Sequence, residues 1–173
     1  MRIAVIADSH GNLLAVESVL ADIERRDVDR TINLGDCVSG PLWPREVCDL
    51  LIVRDDLNIR GNHDRWASGP DPARMGASDR YACSQLNQDH RSWLGALPTS
   101  ASADHGILAC HGTPIDDNQY LIEEASEGRL RASKSGYDPG AIGRCPSPRS
   151  SVRPQPPAAL HPIARRPNDP ESR

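Results

Sequence analysis

Ile3-Ala4-Val5-Ile6-Ala7-Asp8-Ser9-His10-Gly11-Asn12 is the stretch on which the fold turns. Five apolar residues, rich in β-branched side chains, run directly into a polar cluster. Leu13, Val16, Val19, Leu20 and Ile23 then follow at helical three-and-four spacing, so residues 3 to 23 read as a βα unit. The pattern recurs along the chain. Residues 31 to 34 read as a second short strand, residues 44 to 53 as a helix with Pro44 in its first turn, and residues 57 to 59 as a third strand. Such alternation predicts an α/β fold, a parallel-stranded sheet core flanked by helices. Tyr81, Leu86 and the apolar residues from Trp93 to Leu97 suggest one or two helices between 78 and 97, and residues 107 to 110 form a plausible fourth strand.

A chain of 173 residues with 38% hydrophobic content suffices for one globular domain of ordinary size. Phe is absent, with three Trp and three Tyr, so the core must be built from Leu, Ile, Val and Ala. Five cysteines at 37, 48, 83, 110 and 145 show no paired spacing, which indicates reduced and mostly buried thiols rather than a disulfide framework or a zinc ribbon. The apolar start is too short for a secretory signal or a membrane span, and a cytoplasmic location is expected. Charge is unevenly spread. Residues 1 to 133 carry 13 Lys+Arg against 21 Asp+Glu, while residues 134 to 173 carry 7 against 3. An acidic body argues against a nucleic-acid platform, since phosphate backbones are held by clustered cations. A small phosphate-bearing ligand would have to be met by bound cations instead.

Four polar clusters follow strand-like runs, where the carboxyl ends of parallel strands present residues to a shared crevice. Asp8 and His10, two apart on an extended chain, point the same way and can grip one ion, although Asp-x-His also arises by chance. In Gly35-Asp36 the glycine allows a sharp turn off the strand, and Asp36 can offer one oxygen to each of two cations; alone, it reads as an ordinary turn. Gly61-Asn62-His63-Asp64 also reads as a turn, yet a turn does not require His between Asn and Asp. Cys110-His111-Gly112-Thr113 places an imidazole directly after a strand, where a lone His is more often structural. Asn12 reads as the cap of the helix that begins at Leu13. His90, His105, Trp43, Trp66 and Trp93 are read as packing or surface residues.

Taken in order, Asp-x-His, Gly-Asp, Gly-Asn-His-Asp and His-Gly resemble the calcineurin-like metallophosphoesterase family, above all its small bacterial members, over about residues 1 to 130. The resemblance implies metal-dependent hydrolysis of phosphomonoesters or phosphodiesters, a phosphoprotein phosphatase being a narrower alternative. It implies that Asp8 and His10 bind a first metal, that Asp36 bridges two, and that Asn62 and His111 bind the second. His63 becomes the acid or electrostatic partner at the substrate, oriented by Asp64. Two divalent ions roughly 3.5 to 4 Å apart lower the pKa of a shared water and clamp the phosphoryl oxygens. Mixed Asp, His and Asn ligands suit borderline metals, of which manganese is expected, with iron, nickel or zinc as alternatives.

The family pattern ends in Gly-His-x-His, and no such segment occurs in the sequence. Nine of the 15 prolines lie in the last 40 residues, without apolar periodicity. The phosphoesterase domain is therefore expected at residues 1 to 133, incomplete at its C-terminus and impaired in activity, with residues 134 to 173 as a disordered Pro/Arg-rich tail. Arg153-Pro154-Gln155-Pro156-Pro157 can be encoded so that the next reading frame spells Gly-His-Ser-His. Out-of-frame translation of residues 135 to 173 is thus one reading, and a natural basic tail the other. A rival at the level of function is a non-catalytic binding protein that keeps the fold.

Overall fold

A computed structural model describes residues 1–69, 75–103, 106–126 and 129–132. The chain divides into two units, Met1–Tyr137 and Asp138–Arg173. The second lies outside the described residues, as do the expected tail and the question of C-terminal completeness.

Strands β1 (Ile3–Ile6), β2 (Arg30–Asn33) and β3 (Leu57–Asn58) form a parallel sheet in that order. Its register pairs Ile3 with Arg30 and Ile6 with Asn33, then Ile32 with Leu57. Helix α1 (Leu13–Glu24) starts where Asn12 accepts a hydrogen bond from the Ala15 amide at 3.2 Å, as its capping position predicts. Val16 and Leu20, four apart, form its buried stripe, whereas Val19 is 45% exposed and lies outside it. Helix α2 (Pro44–Ile52) carries Pro44 at its start and buries Val47, Cys48 and Leu51.

Alternation along the strands separates two apolar clusters. On one face Ile6 packs with the helices, in a core containing Val16, Leu20, Val47, Leu51 and Leu94. On the other, Ile32 and Ile59 meet Ala103 and Ala109. Cys37, Cys48 and Cys83 are buried free thiols and Cys110 is partly buried, while Cys145 lies outside the described residues. Burial raises the Cys37 thiol well above its usual range.

Three features depart from the expected pattern. The presumed turn after β3 is a helix, α3 (Asn62–Ser68), which begins directly at Asn62. The helical region expected between 78 and 97 holds two helices, α4 (Ala77–Gln85) and α5 (Gln88–Ala96), within the one or two expected, and Asn87 caps α5 by accepting from the His90 amide at 2.9 Å. The fourth predicted strand, β5 (Leu108–Cys110), does not continue the parallel alternation. It pairs antiparallel with β4 (Ser100–Ser102), because five intervening residues are too few for a parallel crossover. An unanticipated hairpin of β6 (Glu123–Ser126) and β7 (Arg129–Ala132) follows. Among the described residues no helix is long and apolar enough to cross a membrane.

Candidate metal centre

The loops after β1 and β2 remain hydrogen-bonded beyond the sheet. The Asp8 amide donates to the Gly35 carbonyl (3.0 Å), His10 to Asp36 (3.0 Å) and Gly11 to Cys37 (2.8 Å). This brings together side chains 28 positions apart. Asp8, His10 and Asp36 all take positive φ, at 56°, 45° and 56°. Left-handed backbone is uncommon outside glycine, and its concentration in three neighbouring polar residues marks a place where local strain is held by the surrounding structure. Gly35 is required for a second reason: a Cβ there would stand 2.3 Å from the Gly61 nitrogen, so the β2 and β3 loops can touch only without a side chain.

The ligating atoms of Asp8, His10 and Asp36 lie within 4.8 Å of one another. His10 Nε2 is 3.7 Å from Asp8 Oδ1 and 4.0 Å from Asp36 Oδ2. On the far side, His111 Nε2 is 3.4 Å from the same Asp36 oxygen and 3.0 Å from Asn62 Oδ1. Asp36 Oδ2 therefore faces two imidazoles, while Oδ1 accepts the His63 amide at 2.9 Å. Both imidazoles are turned the same way. His10 Nδ1 meets the Ser39 carbonyl at 3.1 Å and His111 Nδ1 meets that of Leu34 at 2.9 Å, which leaves each Nε2 directed at the carboxylate.

Charge is concentrated at this point. The hydrogen bond that His111 donates to Asp36 pushes the imidazole up to about 9, against the opposing effect of burial, so the ring is an imidazolium near neutrality, donating from both nitrogens. Burial alone raises the Asp36 carboxyl, but the hydrogen bond and charge of His111, with the His63 amide, leave it lowered. A cation between these groups would take the place of the His111 proton. The donor set, the imidazole orientations and the strained loops fit the divalent metals that the resemblance implies, with Asp8, His10 and Asp36 in one group and Asp36, Asn62 and His111 in the other.

The structure corrects the role expected of Asp64. Its carboxylate is fully buried and accepts three backbone amides: Asp36 (2.8 Å) and Gly61 (3.0 Å) at Oδ2, and Cys37 (2.8 Å) at Oδ1. It ties the β2 loop to the start of α3 rather than orienting His63. Burial raises it to about 6, with the three amides opposing. The group that meets His63 is Asp79 of α4, whose Oδ1 is 2.7 Å from His63 Nδ1. Asp79 follows no glycine-rich loop, and nothing local to the sequence singles it out.

Trp66 packs its ring against His63, centroids 4.6 Å apart and nearly perpendicular, and the His10 ring meets His63 edge-on at 5.2 Å. His90 is a buried structural residue, its Nε2 2.8 Å from Asp49 Oδ1, which links α5 to α2. His105 and His161 lie outside the described residues. Asp8, His10, Asp36, Asn62, His63 and His111 all line one cleft of about 760 Å³. Arg65, from α3, makes a two-pronged contact to Asp117 (2.8 and 2.7 Å) that braces the loop after His111.

A parallel α/β sheet whose carboxyl-end loops gather carboxylates, imidazoles and a carboxamide into one cleft is the class of fold and site that could hold divalent cations. The calcineurin-like phosphoesterase family model matches residues 1–166, and the chain belongs to that family. Its structure is similar to that of a metallophosphoesterase from Sphaerobacter thermophilus, with 33% identity, a TM-score of 0.60, and coverage of 71% of this chain and 52% of that one. It shares its fold with the hypothetical protein PH1004 of Pyrococcus horikoshii OT3 (22% identity, TM-score 0.61, coverage 72% and 60%). In sequence it is similar to the uncharacterized protein MJ0912 of Methanocaldococcus jannaschii, 40% identical over 67 residues, or 39% of this chain and 28% of that protein. The chain thus spans between about a quarter and three fifths of the length of these relatives.

Proposed function

We propose that the chain binds two divalent cations, manganese in preference to iron, nickel or zinc, and hydrolyses small phosphate monoesters or diesters. The observation that carries this reading is Asp36 Oδ2, which stands between His10 Nε2 and His111 Nε2 with Asp8 and Asn62 behind them. When bound, the metal pair supplies an activated water and charge for the phosphoryl oxygens. The chain's own groups do the rest. Asp36 holds both halves of the site together, the backbone carbonyls of Ser39 and Leu34 keep the ligand nitrogens aimed, and His63 at the cleft wall donates a proton to the departing oxygen. The acidic body favours a small ester over a nucleic acid, and the protein is read as cytoplasmic.

The absence of Gly-His-x-His favours a second reading: five protein ligands hold metal weakly, and the fold serves as a non-catalytic binding protein. Calorimetric titration with Mn²⁺ and an assay on bis(p-nitrophenyl) phosphate and p-nitrophenyl phosphate separate the two. Two bound ions with turnover that EDTA abolishes support the enzyme. Metal binding without turnover supports the second reading, and no metal binding removes the first.

A further inference from the structure

We infer that Asp79 is the positioning residue of His63, the group that fixes the imidazole for proton donation to the leaving oxygen; this rests on the phosphoesterase reading above. Asp79 is 4% exposed, and its carboxylate on α4 reaches His63 Nδ1 at 2.7 Å. The His63 ring is held on two further sides, by Trp66 at 4.6 Å and by the edge of His10 at 5.2 Å. With Nδ1 committed to Asp79, Nε2 is the nitrogen left for the cleft that His63 lines.

A buried carboxylate on one imidazole nitrogen fixes the ring's orientation and leaves the other nitrogen free to face the substrate. Asp64, the neighbour that would otherwise be expected to do this, has both oxygens occupied by backbone amides. The proton balance is simple. An attacking water gives its hydroxyl to phosphorus and a proton to solvent, and the bond from phosphorus to the leaving oxygen breaks with its electron pair on oxygen. That oxygen takes the Nε2 proton of His63, and the ring recovers a proton from solvent. Asp79 touches no reacting atom.

The test uses the full chain, with Asp79→Ala, Asp79→Asn, His63→Asn and the double variant His63→Asn/Asp79→Ala. Loaded with Mn²⁺, Asp79→Ala should lower kcat by about 10- to 100-fold while KM and Mn²⁺ stoichiometry hold. The deficit should be greater for phenyl phosphate than for p-nitrophenyl phosphate, because the poorer leaving group depends more on its proton. Asp79→Asn, whose carboxamide oxygen still accepts from Nδ1, should recover part of the loss. Asp79→Ala should add almost nothing in the His63→Asn background. Equal losses on the two esters, losses that add to those of His63→Asn, or a fall in bound Mn²⁺ would overturn the assignment.

Should the wild-type chain show no turnover, the phosphoesterase reading itself fails, and nitrogen-15 spectra of the histidine rings decide the matter. Inorganic phosphate should then shift the His63 Nε2 resonance in the wild type and not in Asp79→Ala. The same shift in both proteins, or none in either, overturns the role of Asp79.

Discussion

Asp36 presents one oxygen to two imidazoles, and the proton on His111 is the price of that arrangement in the metal-free chain. Because His111 sits at about 9 and must be neutral to ligate, Mn²⁺ binding at pH 7 should release about one proton. Affinity should climb with pH and level off above about 9, which calorimetry in buffers of different ionisation enthalpy can measure. The same shift makes a stability statement. A histidine raised from 6.5 to about 9 on folding contributes stability that is complete below pH 6.5 and lost as pH rises through 9. The metal-free chain should therefore show a lower urea midpoint at pH 9.5 than at pH 6.5, and Asp36→Asn should flatten that dependence. Asp64 acts by another route. Asp64→Ala strands three buried amides and should cost about 3 kcal/mol or more, read from urea denaturation.

Among the elements, α3 does most to shape the site. It starts at Asn62, so Asn62 and His63 leave the sheet edge in helical conformation and the His63 amide reaches Asp36. Its start is set by contact with the β2 loop, across which Gly35 and Gly61 touch. Gly35→Ala meets both a φ of 102° and the Gly61 backbone, and should cost about 2 to 3 kcal/mol together with the loss of Mn²⁺ binding. By contrast, Asn87→Ala removes only the α5 cap and should cost about 1 kcal/mol with metal binding intact, a contrast that paired melts and titrations can check. The first two βα units were legible because apolar spacing and the Asn12 cap are local signals. Helix α3 was not, since Gly61 and Asn62 carry turn propensity and only the packing of the two loops makes the helix the better solution. The antiparallel pairing of β5 was likewise invisible from its apolar run.

For the whole molecule, metal binding and folding are linked. Mn²⁺ at 100 times its dissociation constant should stabilise the chain by about 2.7 kcal/mol, seen as a higher melting temperature that EDTA reverses. An unchanged melting temperature would count against a formed site. Residues 1 to 133 carry 21 acidic against 13 basic residues, so duplex DNA should not be retained even at low salt, as gel shift can show. What the sequence determined alone was the βα alternation and the four loop clusters, because strand period, helix period and turn chemistry are written within a few neighbouring residues. Tertiary structure decided which oxygens and nitrogens meet. Asp36 reaches His111 75 residues away, Asp64 turns to backbone amides, and Asp79 takes His63 from another helix. Such pairings depend on where whole elements pack, and no local pattern records them.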